Sequence, residues 1–235
     1  MSDIKISLIG SAFRTNNWLK IYDSVKKNKI GFEIVYVGPN KPDFQLPDNF
    51  RFIQSDVKPV QCIEIAARAA KGELIQFTPD DAVFIAENSL ELIYENYKKY
   101  NNYKNIFSMT YSENGKEFPL NNHRLDHEDS STPIVGICNV ISKSFFTELG
   151  GLDRSFIASM YDLDLSLRAF SSGGNVLMTN IRIDEKQIEM SEGSHTASEY
   201  WNLDRKHLFE IWKRKENKYF RNTKFNGFES KNLLK

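Results

Sequence analysis

The chain has 235 residues, 40% of them apolar, with 31 Lys and Arg set against 31 Asp and Glu. That length suits one large domain, at about 100–200 residues per domain, and the apolar share is enough for a sizeable core. The zero charge balance argues against a nucleic-acid or acidic partner. Two cysteines, Cys62 and Cys138, are too few for a disulfide framework and fit a reducing compartment.

In chain order, Ile4–Ile9 alternates like a strand and ends at Gly10-Ser11, and Asn16–Lys26 carries Trp18, Leu19, Tyr22 and Val25 at helical spacing. Glu33–Val37 is a continuous β-rich run closed by Gly38-Pro39-Asn40, the pattern of a parallel strand buried on both faces. Phe50–Ile53 predicts a third strand. Val60–Ala70 predicts an Ala-rich helix stopped at Gly72, and Glu73–Phe77 a fourth strand ending at Thr78-Pro79-Asp80-Asp81. Asn88–Tyr100 reads as an amphipathic helix and Ile106–Tyr111 as a strand, followed by a polar loop from Ser112 to Thr132. Ile134–Ser142 is strand-like, Lys143–Leu149 a short helix ending at Gly150-Gly151, and Asp162–Ser171 a helix with Leu163, Leu167 and Phe170 inward. Gly173-Gly174 separates it from a strand at Asn175–Ile183, and Ala197–Lys215 is helical with Trp201, Leu208, Ile211 and Trp212. The alternation predicts a single α/β domain with a mainly parallel central sheet, flanking helices and a helical C-terminal extension. Residues 1–215 form that domain and residues 216–235 a basic, aromatic tail.

Ligands of such sheets sit beyond the carboxyl ends of the strands, where Gly10-Ser11, Gly38-Pro39 and Asp80-Asp81 all fall. Carboxylates at the end of a buried strand are costly unless a cation meets them, and a metal-bound diphosphate supplies one. Asp162 and Asp164, far along the chain at a predicted helix start, offer a general base whose ionised form the helix dipole favours. The structural alternatives are plain. Asp80-Asp81 would cap a following helix. Asp162 and Asp164 would be ordinary first-turn acids, with Arg168 paired to Asp164 at i+4.

Over roughly Ile4 to Lys215 the chain resembles the family-two glycosyltransferases of GT-A fold. Gly72-Glu73-Leu74-Ile75-Gln76-Phe77-Thr78-Pro79-Asp80-Asp81 looks like the strand leading into that family's DXD motif. Gly150-Gly151-Leu152-Asp153-Arg154-Ser155-Phe156 looks like its Gly-Gly-Phe-Asp-Glu-x-Phe segment. Tyr161-Asp162-Leu163-Asp164-Leu165-Ser166-Leu167-Arg168 resembles its Glu-Asp-x-Asp-Leu-x-x-Arg helix start. The chain departs from the pattern at four places: Pro79 at the first Asp of DXD, Tyr161 at the Glu, Gly38-Pro39 at an acidic pair that binds uracil, and Ile63-Glu64 at a common Arg-Asn pair.

The resemblance implies inverting, metal-dependent transfer of a sugar from a nucleoside diphosphate sugar, a UDP-sugar foremost, to a hydroxyl of a glycan or lipid-linked acceptor. It implies Asp162 as the base and Asp81 as the direct ligand of Mn2+ or Mg2+, with His195 completing the shell. Asp80 would bind the metal through water or contact the donor ribose or sugar. Gly10, Ser11, Phe13, Arg14, Gly38 and Pro39 would hold the nucleotide, Phe13 against base or ribose and Arg14 on phosphate. A sheet-edge aromatic and an exposed arginine are equal alternatives for those last two. Asp164, Gly150 and Gly151 would support the site.

The remaining histidines read otherwise: His123 and His127 lie in the polar loop, and His207 on a helix surface. Basic residues and aromatics interleaved from Trp212 onward suit peripheral contact with an anionic membrane, and equally a helix packed on the domain or a partner subunit. No stretch reaches the roughly 20 apolar residues of a membrane span, and no basic leader precedes Ile4, so a cytoplasmic protein is expected. Two rival classes stand beside the transferase. One is a nucleotidyltransferase, for which Gly10-Ser11-Ala12-Phe13-Arg14 is a poor phosphate loop. The other is a non-catalytic sugar-nucleotide-binding protein, suggested by Pro79 and Tyr161 at motif positions.

Overall fold

A strand buried at every position has to lie inside a sheet covered on both faces. Phe32–Gly38 (β2) is such a strand. It lies between β1 (Ile6–Ser11) and β3 (Phe50–Gln54), parallel to both, and β1 pairs in parallel on its other side with β4 (Leu74–Phe77). The computed structural model describes residues 3–113, 115–117, 138–185 and 198–213. Beyond β4 the described strands are β5 (Ala82–Phe84), β6 (Asn105–Glu113), β7 (Lys116–Glu117), β8 (Val140–Ser142) and β9 (Asn175–Glu185). The sheet runs β3-β2-β1-β4-β8-β6-β9-β5, with β7 on β6. β6 and β9 are parallel, β8 runs antiparallel between β4 and β6, and β5 closes the edge antiparallel to β9.

The helices divide between the two faces. α1 (Trp18–Val25) and α3 (Ser89–Tyr100) cover one, where Trp18 packs its ring 5.6 Å from Tyr36 and 5.8 Å from Phe50. α2 (Pro59–Ala69), α4 (Lys143–Glu148), α5 (Tyr161–Ser171) and α6 (Ser198–Trp212) cover the other, around Ile75, Phe77, Phe145 and Phe156. Each fully buried Val, Leu, Ile or Phe of these layers contributes about 1.5–3 kcal/mol. Local chemistry sets the ends. Pro59 opens α2, the Ser142 hydroxyl accepts the Phe145 N–H at 3.2 Å to cap α4, and Asn101 at φ 41° ends α3.

The single α/β domain with a mainly parallel sheet is the predicted one, and three details differ. β1 continues through Gly10 and Ser11, which pair with Tyr36 and Val37, so these residues are strand and not loop. Asp80-Asp81 is followed by the short strand β5, and α3 begins only at Ser89, so the pair caps no helix. On α6 the inward positions are Asp204, Leu208 and Trp212, whereas Trp201 and Ile211 face solvent. The i, i+4, i+8 stripe turns inward because Asp204 carries buried work, described below. Cys62 and Cys138 are buried and form no disulfide. Among the described residues no helix is long and apolar enough to cross a membrane. The tail beyond residue 213, the loop histidines His123 and His127, and residues 134–137 of the strand expected before Ser142 lie outside the described residues.

Candidate active site

The strand order reverses at β1: β2 and β3 extend to one side, and the chain then returns through α2 to place β4 on the other. A crevice opens beyond the carboxyl ends of β1 and β4 at such a switch point, and it is the usual ligand position of an open α/β sheet. The segments that leave these two strands meet there. Asp80 Oδ2 accepts the backbone N–H groups of Phe13 and Arg14, each at 2.5 Å. Asp80 Oδ1 accepts Arg14 Nη1 at 2.8 Å, and the same nitrogen lies 2.6 Å from Asp81 Oδ2. Both carboxylates are buried, so Arg14 is a half-buried ion-pair partner and not the exposed arginine of the alternative. Burial pushes the Asp81 carboxyl up to about 6. Arg14 pulls it down, and the neighbouring charge of Asp80 adds to the rise. Burial, then the charges of Asp80 and Asp81, hold the Tyr36 hydroxyl well above its ordinary range; that hydroxyl donates to the Pro79 carbonyl at 3.4 Å.

The predicted donor residues converge on this crevice. A Cβ on Gly38 would overlap the Ala12 carbonyl, so only glycine lets the end of β2 touch the turn after β1. Asn40 Nδ2 donates to the Phe13 carbonyl at 3.0 Å, and Gln54 reaches the Pro39 carbonyl at 3.3 Å. Ser11 hydrogen-bonds the Cys62 thiol, which burial pushes up to about 11 against that bond.

The second cluster is built from α5. The N–H groups of Ile157, Ala158 and Ser159 all donate to the Asp204 carboxylate at 2.8 Å, which fixes the approach to the helix. Met160, at φ 61°, then turns the chain into α5. Asp164 has a donor on each oxygen: it accepts Arg168 Nε at 2.8 Å and Trp212 Nε1 at 2.9 Å. The expected i+4 pair with Arg168 is therefore present. Arg168 also donates from Nη1 to the carbonyls of Leu149 and Gly151, at 2.8 and 2.7 Å, and so ties α5 to the Gly150-Gly151 turn. Gly151 has φ +81°, and a Cβ there would lie 2.6 Å from Glu64 Oε1; the other oxygen of Glu64 accepts the Leu152 N–H at 2.9 Å. Asp162 differs from its neighbour. Its partners among the described residues are N–H groups of its own turn, Leu163 at 2.9 Å among them, and burial pushes its carboxyl up to about 6 against their pull.

The two clusters share one end of the sheet. The ring of Phe77, which leads into Asp80, lies 6.1 Å from that of Tyr161, which directly precedes Asp162. His195 lies outside the described residues. His207 is half-exposed at the surface expected of it, with its ring edge-on to Phe156 at 5.0 Å and Nε2 3.9 Å from Asp153 Oδ2. Three residues escaped the sequence expectation: Tyr36, Glu64 and Asp204. The two acids had a legible signal, a lone carboxylate at an inward helical position, as in Cys62-Ile63-Glu64-Ile65-Ala66. A groove of 720 Å³ along α2, lined by Gln61, Arg68 and Arg154 among others, holds neither acidic cluster.

Among the described residues no three His, Cys, Asp or Glu side chains form a metal cage. Asp80 and Asp81 nonetheless fit a hard divalent cation: they are buried oxygen donors whose charge a guanidinium already meets. A cation of the Mg2+ type takes one or two carboxylates and completes its shell from substrate phosphates and water.

No protein-family model and no curated protein sequence matches the chain. Among solved structures it is similar to S. aureus TarS, with a TM-score of 0.60 at 15% identity over 78% of this chain and 37% of that chain. S. aureus TarS 1-349 in complex with UDP-GlcNAc gives 0.61 at 15% identity, over 97% and 74%. GalNAc-T7 with UDP, GalNAc and Mn2+ gives 0.62 at 15% identity, over 90% and 48%. The chain thus spans 37% to 60% of the length of the first TarS chains it matches. At this identity the likeness carries the architecture: the chain is an α/β domain of GT-A-like fold.

Proposed function

We propose that this chain is a glycosyltransferase that moves a sugar from a nucleoside diphosphate sugar, a UDP-sugar first, to a hydroxyl of a glycan or lipid-linked acceptor, with inversion. The observation that carries this reading is the Phe77–Tyr161 contact, which brings near one another a buried acidic pair and a separate carboxylate that no cation among the described residues meets. The fold neighbours support it, since two of them are complexes with UDP-GlcNAc and with UDP and Mn2+.

The residues divide the work. Gly10, Ser11, Phe13, Gly38 and Pro39 line the approach for the nucleotide, and Arg14 supplies positive charge for its phosphates. Asp80 holds the β1 turn in place through three donors. Asp81, with His195 as a second candidate, would hold a divalent cation that serves as Lewis acid for the departing diphosphate. Asp162 takes the proton of the attacking hydroxyl. A carboxyl near 6 is mostly ionised at neutral pH and is a stronger base than an ordinary aspartate. Asp164, Gly150 and Gly151 fix the helix that carries it.

A thermal-shift panel of nucleotide sugars with and without Mn2+ tests the donor class. A ligand at 100 times its dissociation constant stabilises the fold by about 2.7 kcal/mol, enough for a clear rise in melting temperature. The matching donor is expected to raise it and to be hydrolysed slowly in the absence of acceptor. Binding without turnover over a broad acceptor panel would instead identify a sugar-nucleotide-binding protein, and no shift with any donor would remove both.

A further inference from the structure

One nitrogen, Arg14 Nη1, serves both carboxylates of the crevice, 2.8 Å from Asp80 Oδ1 and 2.6 Å from Asp81 Oδ2. A divalent cation on Asp81 would have to share that carboxylate with the guanidinium, and two positive charges beside one buried carboxylate repel. The two acids are not equally dependent on Arg14. Asp80 keeps the Phe13 and Arg14 backbone N–H groups whatever the side chain does. The turn after β1 therefore stays anchored when the guanidinium moves; both acids lose their cationic side-chain partner, but only Asp80 keeps the two N–H groups of that turn. The Arg14 side chain is 26% exposed, so it reaches the open crevice and has a path away from the acids. A diphosphate in that crevice offers it a bidentate anion, the geometry for which a guanidinium is best suited.

We infer that Arg14 is an internal counter-cation that competes with the divalent metal for Asp81, and that it transfers to the diphosphate when donor and metal arrive together. The role rests on the sugar-nucleotide reading above and adds to it a binding order. Metal alone binds weakly because it must displace the guanidinium. Metal with diphosphate binds tightly because the displaced guanidinium gains a new anion. Coupling of this kind is reciprocal: UDP tightens Mn2+ by the same factor as Mn2+ tightens UDP.

The experiment is isothermal titration of Mn2+ into the wild type, Arg14→Gln and Arg14→Lys, each with and without saturating UDP. Melting curves of the three proteins establish that all are folded. Without UDP, Arg14→Gln is expected to bind Mn2+ about tenfold more tightly than the wild type, and Arg14→Lys, which keeps the charge, to stay near the wild type. With UDP the advantage of Arg14→Gln should vanish, so the factor by which UDP tightens Mn2+ collapses in that variant alone. Equal Mn2+ affinity of the wild type and Arg14→Gln without UDP, with UDP binding intact, would overturn the competition and leave the donor reading standing. Failure of all three proteins to bind UDP, with or without Mn2+, would overturn both.

Discussion

Of the acids at the end of β4 and at the start of α5, Asp80, Asp81 and Asp164 are buried and Asp162 half-buried, and the two pairs are met in opposite ways. Asp80 and Asp81 share the Arg14 guanidinium, and Asp80 holds two backbone N–H groups besides. At α5, among the described residues, the one cation, Arg168, goes to Asp164, which the neutral Trp212 indole also meets, while Asp162 keeps only N–H groups of its own turn. A carboxylate that is held by partners builds a site. A carboxylate left without a cation is free to accept a proton. On the proposed function, the contrast would give binding to the β4 end and proton transfer to Asp162.

The largest way to sharpen the contrast is Asp162→Asn. Loss of a positioned general base lowers turnover by about 10²–10⁴-fold. The same change removes a half-buried charge that no cation among the described residues meets, so the variant is expected to melt higher than the wild type at pH 7, by about 2–4 °C for each kcal/mol gained. Lower activity together with a lower melting temperature would show that Asp162 is structural. Asp81→Asn comes next, with about 100-fold lower kcat/KM through loss of the cation's ligand. Its effect falls on donor and metal binding, measured as a raised Mn2+ requirement.

The pH profile separates the two regions without mutation. Both carboxyls sit up near 6, so both protonate as pH falls through that value. Protonated Asp162 cannot accept a proton and lowers kcat; protonated Asp81 cannot hold a cation and raises the KM for donor. Folding raises both above the ordinary 3.8, so the folded protein binds these protons more tightly than the unfolded chain does. Their contribution to stability is therefore greatest below about pH 4 and is lost as pH rises through 6. A flat kcat between pH 5 and 7 would detach Asp162 from the chemistry. The smallest expected effect is Trp212→Phe, which strips one hydrogen bond from the Asp164 carboxylate. It costs about 1.5–3 kcal/mol in chemical denaturation, with kcat lowered only insofar as α5 shifts.

Much of this was legible in the sequence because strand ends and glycines punctuate it. The run Glu33–Val37, the stop at Gly72 and the acids after Phe77 gave the parallel half of the sheet and its carboxyl edge. The Gly150-Gly151 turn and the Asp164–Arg168 pair were also readable, as local spacings. What could not be read is non-local. The second donor to Asp164 is Trp212 at the far end of α6, and the cation met by Asp80-Asp81 is Arg14 beyond a different strand. No spacing rule joins those residues; only the return of β4 beside β1 and the docking of α6 do. β5 was missed because a strand so short carries no periodicity.

The most direct test of the division between binding and proton transfer is the affinity of UDP in the presence of Mn2+, measured by calorimetry on the wild type, Asp162→Asn and Asp81→Asn side by side. The expected result is wild-type affinity in Asp162→Asn and at least about tenfold weaker binding in Asp81→Asn. Equal weakening of both variants, or full affinity in Asp81→Asn, would contradict it.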